Sequence, residues 1–142
     1  MRTFAACCLI CLPLLRLQIT SSFGYRKHPV TGRYAFHNGV DLRARSDTVY
    51  ALTAGTIAAV SYDEQTGVAV TVGHGSFASA YGHLGQVFVQ TRDTVEAGQP
   101  IGLSGRTGRL TGEHLHFSVR VGKRYVDPIE FIYQLIHTKH HE

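Results

Sequence analysis

Glycine recurs from Gly24 to Gly122 and cuts the chain into short β-prone runs with a turn signal between each. Gly55 opens Thr56–Val60, Gly67 opens Val68–Val72, and Gly122-Lys123 forms a hairpin turn between His114–Val121 and Arg124–Val126. Further extended runs are expected at Ile19–Tyr25, Val40–Leu42, Thr48–Leu52, Ser76–His83, Gly85–Gln90 and Ile101–Ser104. Turns are expected at Pro29–Gly32 and Val95–Pro100, and a Gly-rich loop at Arg106–Glu113. This density of short strands predicts an all-β domain, a compact antiparallel sheet or sandwich.

One helix closes the pattern. Asp127 is a good N-cap, Pro128 suits the first helical position, and Glu130 lies in the first turn. Ile129, Ile132, Tyr133 and Ile136 have the spacing of one apolar face. The chain has 142 residues, 44% of them hydrophobic, enough for one domain with a single modest core. We expect that domain to span residues 19–136, followed by a polar tail at 137–142.

All three cysteines, Cys7, Cys8 and Cys11, precede this domain, so the rest of the chain holds neither a disulfide nor a zinc–thiolate site. They lie in an apolar run, Thr3–Leu15, that follows Arg2. Its length suits a secretory leader and is too short for a comfortable membrane span. Residues 1–18 are therefore expected to be a signal peptide, and the protein to be exported to the periplasm or cell exterior.

The formal net charge is +4, but Lys and Arg are scattered singly, with no basic helix or stripe. That distribution argues against a nucleic-acid-binding module and suits a mildly basic surface facing an anionic polymer such as cell wall.

The chemistry concentrates in three short motifs: His37-Asn-Gly-Val-Asp41, Tyr81-Gly-His83-Leu84 and His114-Leu-His116. On a strand, alternate side chains share a face, so His114 and His116 project together while Leu115 and Phe117 point to the core. Such a pair by itself fits a metal site or a plain sheet surface equally well. Gly39 lets the backbone turn between His37 and Asp41, so imidazole and carboxylate can reach one point. Together the motifs supply the His, Asp, His set of an open zinc site, with histidines to spare for proton transfer.

These motifs, with Ser22-Phe23-Gly24-Tyr25-Arg26, His28-Pro29, Gly32, Ala54-Gly55, His74-Gly75, Gly98, Gly105-x-Thr107-Gly108, Gly112 and Val126-Asp127-Pro128, resemble the zinc peptidases of the lysostaphin/LytM type, the M23 family of cell-wall endopeptidases. The resemblance covers roughly residues 19–133, in order and in spacing. It implies a β-sheet fold with a substrate groove, zinc held by His37, Asp41 and His116, and a catalytic pair formed by His83 and His114. It further implies hydrolysis of peptidoglycan cross-links or stem peptides, with loops after Tyr62 and at Arg106–Glu113 as groove walls. Asp47 and Glu113 depart from the pattern, the first at a position where a turn glycine is common, the second placing a negative charge beside the groove. Two alternatives stand against this reading. A non-catalytic module of the same fold, which binds cell wall or activates another hydrolase, would lack ligands that are all present here. A D-Ala-D-Ala-type zinc peptidase would space its first two ligands more widely and use a glutamate base.

Overall fold

A computed structural model describes residues 10–109 and 112–138. The first nine residues of the expected leader, with Cys7 and Cys8, lie outside the described residues, as do Leu110, Thr111, His140 and His141. Twelve strands precede one helix: β1 (Ile19–Ser21), β2 (Gly24–Lys27), β3 (Tyr34–His37), β4 (Val40–Arg43), β5 (Thr48–Tyr50), β6 (Gly55–Asp63), β7 (Gly67–Gly73), β8 (Phe77–Val87), β9 (Thr94–Val95), β10 (Pro100–Ser104), β11 (His114–Val121), β12 (Arg124–Val126) and α1 (Pro128–Thr138).

Ten strands form one antiparallel sheet in the order β1-β4-β11-β8-β7-β6-β9, with β12 beside β11, and β10 joined to both β8 and β5. β2 and β3 form a separate hairpin. The expected all-β architecture with a short C-terminal helix is what the chain adopts. β11 is central: His116 stands opposite Asp41 of β4 on one side and Gly82 of β8 on the other. Leu115 and Phe117 are fully buried, as the alternation along this strand predicts. They join Leu42, Leu52, Val70, Tyr81, Leu84 and Ile101 in a core beneath the sheet, each contributing about 1.5–3 kcal/mol by burial.

Several elements differ in detail from the sequence reading. The run Ile19–Tyr25 is two strands, because Gly24, at φ 106°, turns the chain out of the main sheet into the β2–β3 hairpin. β3 was not expected at all, since three of its four residues are exposed and no alternation marks them. Ser76–His83 and Gly85–Gln90 merge into the single strand β8. The helix begins at Pro128 and Asp127 Oδ1 accepts from the Ile129 N–H at 3.0 Å, the cap that the sequence predicts. Of the expected face, Ile129 and Ile132 pack on the core, joined by Phe131 and Leu135, while Tyr133 and Ile136 are exposed. Phe131 wins the inward position by packing on Phe77, ring centroids 4.7 Å apart.

Residues before 19 also contribute. Leu14 is buried in the core, Tyr50 N–H donates to the Pro13 carbonyl at 2.9 Å, and Cys11 N–H donates to the Leu52 carbonyl at 2.8 Å. The end of the segment read as a leader thus packs on the domain it precedes. Among the described residues, no helix is long and apolar enough to cross a membrane.

Candidate metal centre and active-site cleft

Sheet register brings the site together. Because His116 and Asp41 are direct partners across β11 and β4, their side chains emerge side by side, with His116 Nδ1 3.1 Å from Asp41 Oδ1. His37 arrives from the end of β3 through the turn at Gly39. A Cβ at Gly39 would lie 2.5 Å from the Phe117 carbonyl oxygen and 3.0 Å from the His116 ring, so the turn can close only over glycine. His37 Nε2 then stands 3.3 Å from both Asp41 Oδ1 and His116 Nδ1. His37, Asp41 and His116 form a group whose ligand atoms all lie within 4.8 Å of one another.

Those spacings fit a tetrahedral ion. Ligands held at about 2.0–2.1 Å around zinc are separated by roughly 3.3 Å, the separation found between the three donor atoms. The outer hydrogen bonds agree. His37 Nδ1 lies 3.0 Å from the Ser22 carbonyl and His116 Nε2 lies 3.2 Å from Asn38 Oδ1. A neutral ring has one N–H; donated outward, it leaves the other nitrogen's lone pair facing the centre. Lone pairs gathered around one carboxylate oxygen call for a cation among them. Without the ion the His116 and His37 rings can instead turn an N–H toward Asp41; burial opposes its ionisation, but those hydrogen bonds and the nearby His114 hold its carboxyl well below the usual carboxylate range.

His83 and His114 stand beside this group, their ring centroids 4.6 Å apart. His114 Nδ1 lies 2.9 Å from the Gly112 carbonyl, and its Nε2 lies 3.4 Å from Asp41 Oδ1. His83 Nδ1 lies 2.7 Å from the Thr107 carbonyl. Burial lowers the His83 imidazole below its ordinary value, with His114 and His116 adding to the effect, so it is neutral at pH 7. Its backbone sits at φ 60°, a costly conformation for a non-glycine residue, and its N–H donates to the Thr66 carbonyl at 2.7 Å.

Thr107 contributes through its side chain, which the Gly105-x-Thr107-Gly108 motif alone does not reveal. Its Oγ1 donates to the Leu84 carbonyl at 2.7 Å and accepts from the Val68 N–H at 3.0 Å. This fixes the carbonyl that orients His83.

The site opens into a cleft of about 320 Å³. Two expected walls line it, Gln65 and Thr66 after Tyr62, and Arg109 from the Gly-rich loop. Asp63 braces the first by accepting from the Gln65 and Thr66 N–H groups at 2.8 and 2.7 Å. A third wall, from the β2–β3 hairpin and the turn at His28–Val30, was not anticipated. Arg26 reaches into the cleft from this hairpin, whereas Tyr34 is 80% exposed and does not line it.

The two departures from the family pattern have structural roles. Glu113 Oε1 accepts from the Ser46 N–H at 2.9 Å, and does not line the cleft. The left-handed residue of that turn is Ser46, at φ 48°, not Asp47, whose Oδ2 accepts from the Arg45 N–H at 2.8 Å. His74 is structural, with Nδ1 near Thr53 Oγ1 and Nε2 near Ser79 Oγ, both at 2.8 Å.

Comparison with known proteins finds relatives for most of the chain. The profile of peptidase family M23 matches residues 35–128. The peptidoglycan DD-endopeptidase ShyB of Vibrio cholerae is 42% identical over 116 residues, covering 80% of this chain and 27% of that protein. The DD-carboxypeptidase/endopeptidase Mpg of Neisseria meningitidis is 37% identical over 119 residues, covering 82% of this chain and 27% of that protein. The chain thus spans about a quarter of the length of these relatives. Among solved structures, a zinc-containing peptidase from Vibrio cholerae gives a TM-score of 0.73 at 43% identity, covering 78% of this chain and 35% of that one. The catalytic domain of lysostaphin from Staphylococcus simulans gives 0.73 at 28% identity, covering 82% of this chain and 92% of that one.

Proposed function

The chain belongs to peptidase family M23, and from that premise we propose that it is a zinc-dependent endopeptidase hydrolysing peptide cross-links or stem peptides of bacterial peptidoglycan. The observation that carries this reading is the convergence of His37 Nε2, Asp41 Oδ1 and His116 Nδ1 at 3.1–3.3 Å beside a second pair of histidines. On this reading, His37, Asp41 and His116 hold the metal, and His83 and His114 are the catalytic residues.

Zinc bound there supplies a Lewis acid and lowers the pKa of a bound water to about 7. The protein's own contribution is to move protons and to place the peptide. His83, neutral by burial and oriented through Nδ1 by the Thr107 carbonyl, keeps Nε2 free to accept the nucleophile's proton. His114, oriented through Nδ1 by Gly112, presents an Nε2 lone pair beside Asp41 that can also receive a proton, and the proton this pair takes from the nucleophile is the one returned to the leaving amine. The β2–β3 hairpin and the Gln65–Thr66 loop hold the peptide across the centre. Action on peptidoglycan requires that the chain be exported.

The test is to incubate the zinc-loaded chain with isolated peptidoglycan and measure newly released amino groups. Release is expected from the native protein and not from Asp41→Ala. No release from several wall chemistries, despite tight zinc binding, would overturn the reading in favour of a non-catalytic wall-binding module.

A further inference from the structure

Arg26 stands at the edge of the metal centre with a buried Nε that donates to no described residue. It projects from β2, opposite Ala35. Its nearest acid is Asp41, with Nη2 4.0 Å from Oδ2, too far for a hydrogen bond. The other Asp41 oxygen faces the histidines. A guanidinium has five N–H donors in a fixed fork, and leaving the buried Nε–H without an acceptor is costly.

The surroundings do not supply the missing acceptor. Asp41 is the one carboxylate among the described residues that line the cleft, while Arg109 adds a second cation. A loaded metal would further raise the positive charge. A cleft with this balance attracts an anion, and a planar fork at its wall matches a carboxylate.

Resting on the peptidase reading above, we propose that Arg26 is a specificity-determining residue that binds a free carboxylate of the substrate beside the scissile bond. Peptides carrying such a carboxylate, as cross-linked stem peptides do, are preferred. An uncharged glycine-rich segment offers Arg26 nothing. The competing role, a charge partner that only holds Asp41 in place, makes no distinction between substrates.

Calorimetric titration of the zinc-loaded full chain with two N-acetylated D-alanyl peptides separates these roles. The peptides are identical except that one ends in a free carboxylate and the other in an amide. The native protein should bind the acid roughly 10–100-fold more tightly than the amide. In Arg26→Gln that preference should vanish, with amide affinity and zinc content unchanged; Arg26→Lys, which keeps charge without the fork, should fall between. No preference in the native protein overturns the proposal, a comparison that needs no variant to fold. So does a preference that persists in Arg26→Gln, or an equal weakening of both peptides together with lost zinc. Binding is read here, not turnover. Failure of the protein to cleave peptidoglycan would therefore count against the peptidase reading and leave the Arg26 result standing.

Discussion

His116 and Asp41 are cross-strand partners, so the 3.1 Å approach of imidazole to carboxylate is set by the register of β11 against β4. A slip of β11 by one residue would turn His116 to the face opposite Asp41. The same register places His114 two residues away on the shared face, within 3.4 Å of the same carboxylate oxygen. The candidate metal centre is thus built on strands, and only His37 depends on a turn.

That turn gives the first prediction. Gly39→Ala would push a methyl group to 2.5 Å from the Phe117 carbonyl and against the His116 ring. Zinc affinity should fall by about 10–100-fold, the range seen when support for metal ligands is removed. Competition with a chromophoric chelator checks this; unaltered affinity would show that the turn tolerates a side chain.

Thr107→Val keeps the shape of the side chain but removes the hydroxyl that joins Leu84 to Val68. Loss of these hydrogen bonds should cost about 1–3 kcal/mol in stability. Turnover on peptidoglycan should fall by roughly tenfold as the carbonyl that orients His83 loosens, with zinc content retained. Turnover equal to the native protein's would remove Thr107 from the positioning of His83.

Tyr81 is fully buried, and its hydroxyl accepts from the Leu52 N–H at 2.9 Å and meets Ser79 Oγ at 3.0 Å. Burial pushes its phenol up to about 12, so it remains a neutral partner at all working pH values. Tyr81→Phe leaves the Leu52 N–H unpaired and should cost about 1–3 kcal/mol in urea unfolding. A midpoint unchanged from the native protein would contradict this.

Stability should also decline in mild acid. Burial lowers the pKa of both His74 and His83 below the ordinary histidine value, so the unfolded chain takes up protons first. Their contribution is complete above pH ~6.5 and is lost as pH falls through the lower native values. The unfolding midpoint of metal-free protein should therefore fall below pH ~6.5, and less steeply for His74→Gln. An identical slope in that variant would contradict the assignment.

The sequence made much of this visible because the principal side chains lie on regular elements. Alternation along His114–Phe117 reveals both the histidine pair and the core beneath it, and Gly39 marks the approach of His37 to Asp41. Less visible is what depends on tertiary partners. β3 carries apolar residues but no alternation, because the hairpin stands off the core, yet it supplies a wall of the cleft. The helix face is decided by Phe131 meeting Phe77, a contact outside the helix's own periodicity. Nothing in the sequence separates Arg26 from the other scattered cations, and its buried Nε, unpartnered among the described residues, becomes evident only with the hairpin folded.

The central claim is that His37, Asp41 and His116 bind one zinc ion and leave a position open. X-ray absorption at the zinc edge, on the full chain loaded with one equivalent, tests it most directly. The account predicts a shell of N and O ligands at about 2.0–2.1 Å, containing two imidazoles, and loss of that spectrum in Asp41→Ala. A sulfur ligand at about 2.3 Å, or the same two-imidazole spectrum in Asp41→Ala, would contradict it.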